Sequence, residues 1–520
     1  MMMRLVLALG ILCAAAGFRA DAAEKLYTNP VLAGDHPDPS VIRVGRDYWA
    51  VATSSEWSPT FPMLHSRDLV NWEEVGPVFS HRPGWATGFF WAPEIVKYRN
   101  GFYIYYSARL RKGGPLSIGV AVSEKPQGPY NDLGVLMAEA PGNIDPVMFE
   151  DEKGDPYLIW KEDGNSRNQP TVIYARRLAD SGVAFKGPAI ELIRNDASWE
   201  GGVVEAPFIL RRGDYFYMFY SGNGCCGTGC NYALGVARAR SLLGPWEKNP
   251  HNPILASNDE WKCPGHGSIV DDPSGRHWLM YHAYARDSSV FTGRQALVDE
   301  VKFTASGWPL INRGNGPGSG GPSPFGLEQH RKELNFVDEF TSSKLHPGWS
   351  WPVSDDPPAH TYKGEMILRA VPNQGTNFMG AIVGRSISTG DFAATTTLRR
   401  SSVAPGVHTG LAALGDRANS VGLSYIDNRI MLWSRRNGKT EVLSELDAPK
   451  AKALHFRLTS VGGKDFQFAV SDNGREWTDV SPAASGVKLP PLDRAIRVGL
   501  AVGGAPITEV AYERFKIEAR

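Results

Sequence analysis

A phrase that recurs five times limits this chain to very few folds. Its copies are PDPSVIRVGRDYWAVATS from Pro37, WAPEIVKYRNGFYIYYS from Trp91, IDPVMFEDEKGDPYLIWK from Ile144, VEAPFILRRGDYFYMFYS from Val204 and GHGSIVDDPSGRHWLMYHAY from Gly265. Each is a small or acidic residue, an apolar strand, a Gly-containing turn and a second strand rich in Tyr, Phe or Trp. Aligned on Pro39, Pro93, Pro146, Pro207 and Ser268, the copies lie 54, 53, 61 and 61 residues apart, a period that signals a propeller or solenoid. Between them a second unit recurs, as FPMLHSRDLVNWEEV, LSIGVAVSEKPQGPY, TVIYARRLADSGVAF, YALGVARARSLLGPWEK and, most divergently, RQALVDEVKFTASGWP. Its alternating apolar residues around a turn suit a half-buried hairpin.

Two hairpins per repeat make a four-stranded sheet, and one such sheet cannot bury both of its faces. Five packed face to face around an axis can, so the chain reads as all-β, with a five-bladed β-propeller over residues 24–312. The heads of the innermost strands then rim one end of the axis. That brings together Asp38, Asp145 and Glu205, the carboxylates heading copies one, three and four.

After Ile311 the repeat stops, and a Gly/Pro/Ser-rich linker is assigned to residues 313–334. Residues 335–520 again show short strands between turns, from MILRAV to VAYERFKIE, which suits a concanavalin-like β-sandwich or jelly roll. At the other end, residues 1–23 carry Arg4, then an apolar run, and small residues at Ala20, Ala22 and Ala23. This reads as a secretory signal peptide, against a buried N-terminal helix as the alternative, and implies export to the periplasm or the medium. Cys225, Cys226, Cys230 and Cys263 remain after its removal. Disulfides bracing SGNGCCGTGCNYA are the preferred reading, with Cys225 joined to Cys226 and Cys230 to Cys263 as one pairing; free thiols or a metal site are the rivals, although C-C-x3-C lacks the paired spacing of a zinc knuckle.

The 520 residues include 55 basic and 55 acidic side chains. That balance removes the electrostatic reason to expect nucleic acid or an anionic membrane as partner. Past the signal no segment approaches the length of a membrane span. Nothing in the sequence specifies a number of subunits.

The phrases NPVLAGDHPDPSVIRVGRDYWAV, FFWAPEIVKYRNGFYIYYS, GNIDPVMFED, VVEAPFILRRGDYFYMFYS, GHGSIV and TGRQAL followed by GWPLIN, in order and at blade spacing, resemble glycoside hydrolase family 43. This is a five-bladed propeller family of β-xylosidases, α-L-arabinofuranosidases and arabinanases. The resemblance implies that Asp38 is the general base, Asp145 orients the acid and tunes its pKa, Glu205 is the general acid, and the anomeric configuration is inverted. An inverting glycosidase needs one carboxylate to deprotonate water and one carboxylic acid at the leaving oxygen. Glu205 is then expected to stay protonated, helped by the nearby Asp145, and Asp38 to stay ionised. Without the family match Glu200 competes with Glu205 as the acid, and Asp38 and Asp145, each before a Pro, also fit turn positions.

Trp57, Phe90 and Trp91 are candidates for the walls of a sugar pocket, although blade packing explains the same residues. Glu94 fits a supporting hydrogen bond or packing. Arg294 matches a family arginine that contacts substrate near the acid, with a surface salt bridge as the alternative. His266 is a further candidate for substrate binding and matches a histidine that lies at an axial calcium site in some relatives, so structural calcium is possible there; the hydrolysis itself needs no cofactor. In TSSEWSPTFP, Ser55 and Ser58 stand where xylosidases of this type carry bulky aromatics, which leaves room for arabinofuranosides. The expected activity is an exo-acting hydrolase of arabinose- or xylose-containing plant cell-wall oligo- or polysaccharides, including xylan. An endo-arabinanase and a catalytically inactive carbohydrate-binding propeller are the alternatives.

Overall fold

The computed structural model describes residues 25–287, 292–330, 334–369, 378–486, 489, 494–505 and 507–520. The segment read as a signal peptide lies outside them. Five four-stranded antiparallel sheets follow one another along the chain, with innermost strands Ser40–Val44, Trp91–Tyr98, Asn143–Glu150, Val204–Arg212 and Trp261–Asp271. Each innermost strand touches the next, and the fifth returns to the first. Apolar clusters fill the space between successive blades. Phe61, Phe90 and Tyr106 sit in the cluster joining the first and second, and Ile159, Phe216 and Met218 in that joining the third and fourth.

The circle is closed by the N-terminal segment. Leu32 bridges Ala296, Tyr27 Oη donates to Val298 O at 2.6 Å, and Leu26–Thr28 pairs with Gly320–Pro322. Part of the Gly/Pro/Ser-rich segment read as a linker is therefore built onto the propeller. It pairs through its backbone, which leaves no apolar pattern, and a Cβ on Gly320 would stand 2.1 Å from Tyr27 O.

One residue near the head of every innermost strand has positive φ, namely Asp38 (53°), Ala92 (44°), Asp145 (55°), Ala206 (56°) and His266 (40°). None is glycine, so each position costs roughly 1–3 kcal/mol and persists only where its surroundings hold it. What holds it is a side chain from the preceding blade that accepts its N–H. Ala92 N–H donates to Thr53 Oγ1 (2.7 Å), Asp145 N–H to Ser107 Oγ (3.1 Å), Ala206 N–H to Asp145 Oδ2 (2.9 Å), His266 N–H to Ser221 Oγ (3.0 Å) and Asp38 N–H to His282 Nδ1 (3.1 Å). These bonds pass once around the axis.

In four blades the acceptor stands near the end of the second strand. In the third blade that place belongs to Lys161, which pairs with Ile144 as Ser107 pairs with Trp91 and Ser221 with Glu205. An ammonium cannot accept a hydrogen bond. Asp145, from the head of the same blade, accepts instead.

The second domain is a sandwich of a six-stranded and an eight-stranded sheet around a core that includes Phe392, Phe456 and Leu500. The outer face of the six-stranded sheet meets the propeller, where Ile382, Ala412, Leu414 and Trp433 share a cluster with Trp57. Trp57–Ser58 also pairs with Trp351–Pro352, and a buried ion pair joins Asp35 to Arg497 at 3.5 Å.

Removing one acceptor from the circle leaves a buried N–H unsatisfied, which costs about 1–3 kcal/mol. Ser107→Ala is expected to lower unfolding stability by that amount in urea denaturation; an unchanged midpoint would show that the interblade bonds do not hold the strand heads.

Candidate active site

The heads of blades one, three and four carry Asp38, Asp145 and Glu205, and their side chains are almost withdrawn from solvent. Asp38 is surrounded by donors. Arg294 Nη1 lies 2.9 Å from Oδ1, and Thr53 Oγ1 donates to Oδ2 at 2.7 Å while accepting Ala92 N–H. His266 Nδ1 stands 3.4 Å from Oδ1. Burial alone would raise the Asp38 pKa, but the charge of Arg294, then that of His266, holds it well below the usual carboxylate range. Asp38 is therefore ionised, as a base that deprotonates water must be.

His282 is fully buried, and desolvation pushes it down to about 4. The ring is thus neutral near pH 7, and its Nδ1 lies 3.1 Å from Asp38 N and 3.2 Å from Asp38 Oδ1. Its face stacks on Tyr232, with centroids 5.8 Å apart and planes 4° from parallel.

Around Glu205 the protonation expected from the sequence is reversed. Lys161 Nζ lies 2.7 Å from Oε2, and Tyr232 Oη donates to Oε1 at 2.8 Å. Burial works against the charge, yet Lys161 and then Tyr232 hold the Glu205 pKa below its ordinary value. Asp145 moves the other way, up to about 6, first through burial and then through the charge of Glu205, with His266 and Lys161 opposing. A proton held by this pair is therefore favoured on Asp145, because the buried ammonium of Lys161 lies against Glu205. Like-charge repulsion between the two carboxylates was legible in the sequence; the lysine that decides its outcome was missed.

Gly265 makes the Tyr232 contact possible, since a Cβ there would lie 2.5 Å from the Tyr232 ring. Tyr232 is also backed by cystine. Cys230–Cys263 ties the loop before Tyr232 to the fifth innermost strand, and Cys225–Cys226 forms a second bridge in the same loop.

The other sequence candidates separate clearly. Trp91 is half-buried, donates from Nε1 to Ser55 Oγ at 3.0 Å and meets the half-buried Phe89 edge-on at 4.9 Å, so it can present an aromatic surface. Phe90 is a correction: it is fully buried, 5.7 Å from Phe61 between blades. Trp57 is 4% exposed and packed between propeller and sandwich, where it also lines an interdomain cavity with Glu56 and Phe89. Phe89, with φ 56°, stands half-buried beside Trp91, while its neighbour Phe90 turns into the interblade core. Ser58 also lies at the domain contact, paired with Trp351.

Arg294 contacts the proposed base, whereas the resemblance placed it near the acid. Glu200 is excluded as the acid by its own bonds, since it is fully buried and accepts from Asp196 N, Ala197 N, Tyr220 Oη and Lys248 Nζ. Glu94 is pushed up to about 8 by burial, against a hydrogen bond from Ser40, and supports the rim between the first two blades. Among the described residues no group of three or more His, Cys, Asp or Glu side chains is placed to hold a metal ion. Calcium takes six to eight oxygens, whereas His266 offers a nitrogen that faces Asp38, so these donors do not by themselves make a calcium site.

A strongly ionised carboxylate and a proton-sharing carboxylate pair, gathered at one end of a propeller axis, are the equipment of a glycoside hydrolase. Residues 27–309 match the model for glycosyl hydrolases family 43, and residues 337–500 match the β-xylosidase C-terminal concanavalin A-like domain. The chain belongs to glycosyl hydrolases family 43. It is 26% identical over 492 residues to a xylosidase/arabinosidase of Humicola insolens, covering 87% of this chain and 88% of that protein. It is 28% identical over 402 residues to a non-reducing-end α-L-arabinofuranosidase of Bacteroides ovatus, covering 70% and 69%. In fold it is similar to the family 43 protein BlXynB from Bacillus licheniformis, with a TM-score of 0.80, 24% identity and coverage of 95% of this chain and 100% of that one.

Activity that needs one proton on the Asp145–Glu205 pair falls as pH rises past the pair's upper pKa, near 6. Lys161 favours the ionised form, so Lys161→Met is expected to move the alkaline limb of the kcat/KM profile upward by roughly one pH unit or more. A limb that stays in place or moves down would refute this role.

Proposed function

We propose that this protein is an exported, exo-acting, inverting hydrolase that releases terminal α-L-arabinofuranosyl or β-D-xylosyl units from plant cell-wall saccharides. The observation that carries the reading is the opposite electrostatic treatment of carboxylates at the same end of the axis: Asp38 is held ionised by Arg294, while Asp145 and Glu205 together retain a proton near pH 6.

In the proposed reaction Asp38 takes a proton from water as the water oxygen bonds to the anomeric carbon. The glycosidic C–O bond breaks on the opposite face, and Glu205 protonates the leaving oxygen. The products are the inverted sugar and the shortened alcohol, with one water consumed. Glu205 receives the pair's proton when bound substrate covers it and weakens its contact with Lys161; Asp145 then carries the negative charge and remains fixed by Ala206 N–H. His282, Thr53 and Arg294 keep the base oriented throughout.

Exo action is supported by the docking of the sandwich against the first blade, next to Phe89 and Trp91. A cavity of about 340 Å³ there is lined by Glu56 and Phe89 from the propeller and by Asp416 and Arg494 from the sandwich. A domain standing at that edge favours a closed pocket over the open groove an endo-arabinanase requires. Two disulfides and the N-terminal residue pattern support export.

The test pairs aryl α-L-arabinofuranoside and β-D-xyloside substrates, with the first-formed anomer followed by NMR. Turnover of at least one with inversion is expected, together with a loss of about 10²-fold or more in Asp38→Ala and Glu205→Gln. First release of the retained anomer, or wild-type rates in either variant, would sink the assignment.

A further inference from the structure

The eight-stranded sheet of the sandwich has an outer face that the propeller does not cover. Its inner face supplies Phe392, Leu398, Phe456 and Phe515 to the core, and the sheet across that core is the one docked on the propeller through Trp57. The outer face therefore points away from the catalytic domain. Register fixes its composition: Lys516, Thr395 and Arg457 stand side by side on three neighbouring strands, and Arg514, Thr397 and His455 form the next row.

Over these rows lies a hollow of about 660 Å³, bordered also by Arg475, Trp477 and Arg520. Five basic side chains line it against one acidic side chain, Glu518. Three of the five also have an acidic partner, which leaves a smaller basic excess. Glu518 lies 2.5 Å from Lys516, Glu339 lies 2.9 Å from Arg514, and Asp479 lies 3.7 Å from Arg457, all on solvated side chains where such pairs are weak. Because the chain as a whole has no net charge, the basicity is a local property of this sheet face.

The chemistry between the charges points to a sugar polymer. Guanidinium groups match carboxylates in a planar, two-pronged geometry. Thr395 adds a hydroxyl able to bond sugar hydroxyls, and the Trp477 ring carries the Arg457 guanidinium 4.4 Å above its centroid, which holds that cation over the hollow. We propose that this face binds polysaccharides bearing uronic acids. It would hold the enzyme on an acidic cell-wall polymer while the propeller trims neutral sugars, so the site is separate from the catalytic one.

The full-length protein is run by affinity electrophoresis in gels containing glucuronoxylan, polygalacturonate, or the same polymers after reduction of their carboxyl groups. Retardation by at least one acidic polymer is expected, weakened at least tenfold by carboxyl reduction and by the double substitution Arg514→Glu, Lys516→Glu. Aryl-glycoside turnover and the melting temperature of that variant are expected to match the wild type. Should the double variant melt early, the exposed Arg475→Gln substitution replaces it, with a measurable loss of retardation expected. Equal retardation by the reduced polymers, or unchanged binding in a folded variant, would overturn the proposal. So would tighter binding to duplex DNA or to phosphatidylserine vesicles than to either acidic polymer.

Discussion

Everything at the catalytic end of this propeller depends on one repeated hydrogen bond, from the N–H of a strained strand head to a side chain of the blade before it. A left-handed backbone at Asp38, Ala92, Asp145, Ala206 and His266 turns each head toward the axis, and the interblade bond keeps it there. Such strain is tolerated where surrounding structure over-determines it. The same bond joins successive blades and fixes the carboxylates, so stability and catalytic geometry share their source.

The circle is not uniform, and its one exception sits at the chemistry. Four blades accept the neighbour's N–H with a hydroxyl or imidazole, but the third places Lys161 there and must use Asp145. One substitution in the repeat thus achieves two things. It puts a buried ammonium 2.7 Å from Glu205, and it ties Asp145 to the backbone next to Glu205. With Arg294 beside Asp38, a buried cation stands against Asp38 and another against Glu205, and a proton is favoured on Asp145.

The repeat period made the blades legible because each hairpin must alternate and each blade must pack on two others. The carboxylates were legible for the same reason, since a circular repeat brings all heads to one rim. Residues acting across blades were harder. Thr53, Lys161 and His282 all lie at the same point of the repeat, where the copies end in VATS, IWK and MYH, and that run of polar residues after aromatic strands was the available signal. Tyr232 had none, because it reaches Glu205 from a disulfide-braced loop whose path follows from tertiary structure alone. The edge strands Lys439–Asp447 and Thr478–Ser485 of the sandwich are largely solvated and carry little apolar alternation, so the sequence marks them weakly. The interdomain packing of Trp57 was not legible, because a tryptophan between domains and a sugar-stacking one look alike in sequence.

The central claim is that these carboxyl groups are held in opposite protonation states by their blade neighbours. Its most direct test is a carbon-13 NMR titration of labelled side-chain carboxyls, assigned with Asp38→Asn, Asp145→Asn and Glu205→Gln. The account predicts that Asp38 stays ionised wherever the protein remains folded, and that the Asp145–Glu205 pair takes up its first proton near pH 6, carried mainly by Asp145. Protonation of Asp38 in the ordinary aspartate range, or a pair that takes up its first proton on Glu205, would contradict it.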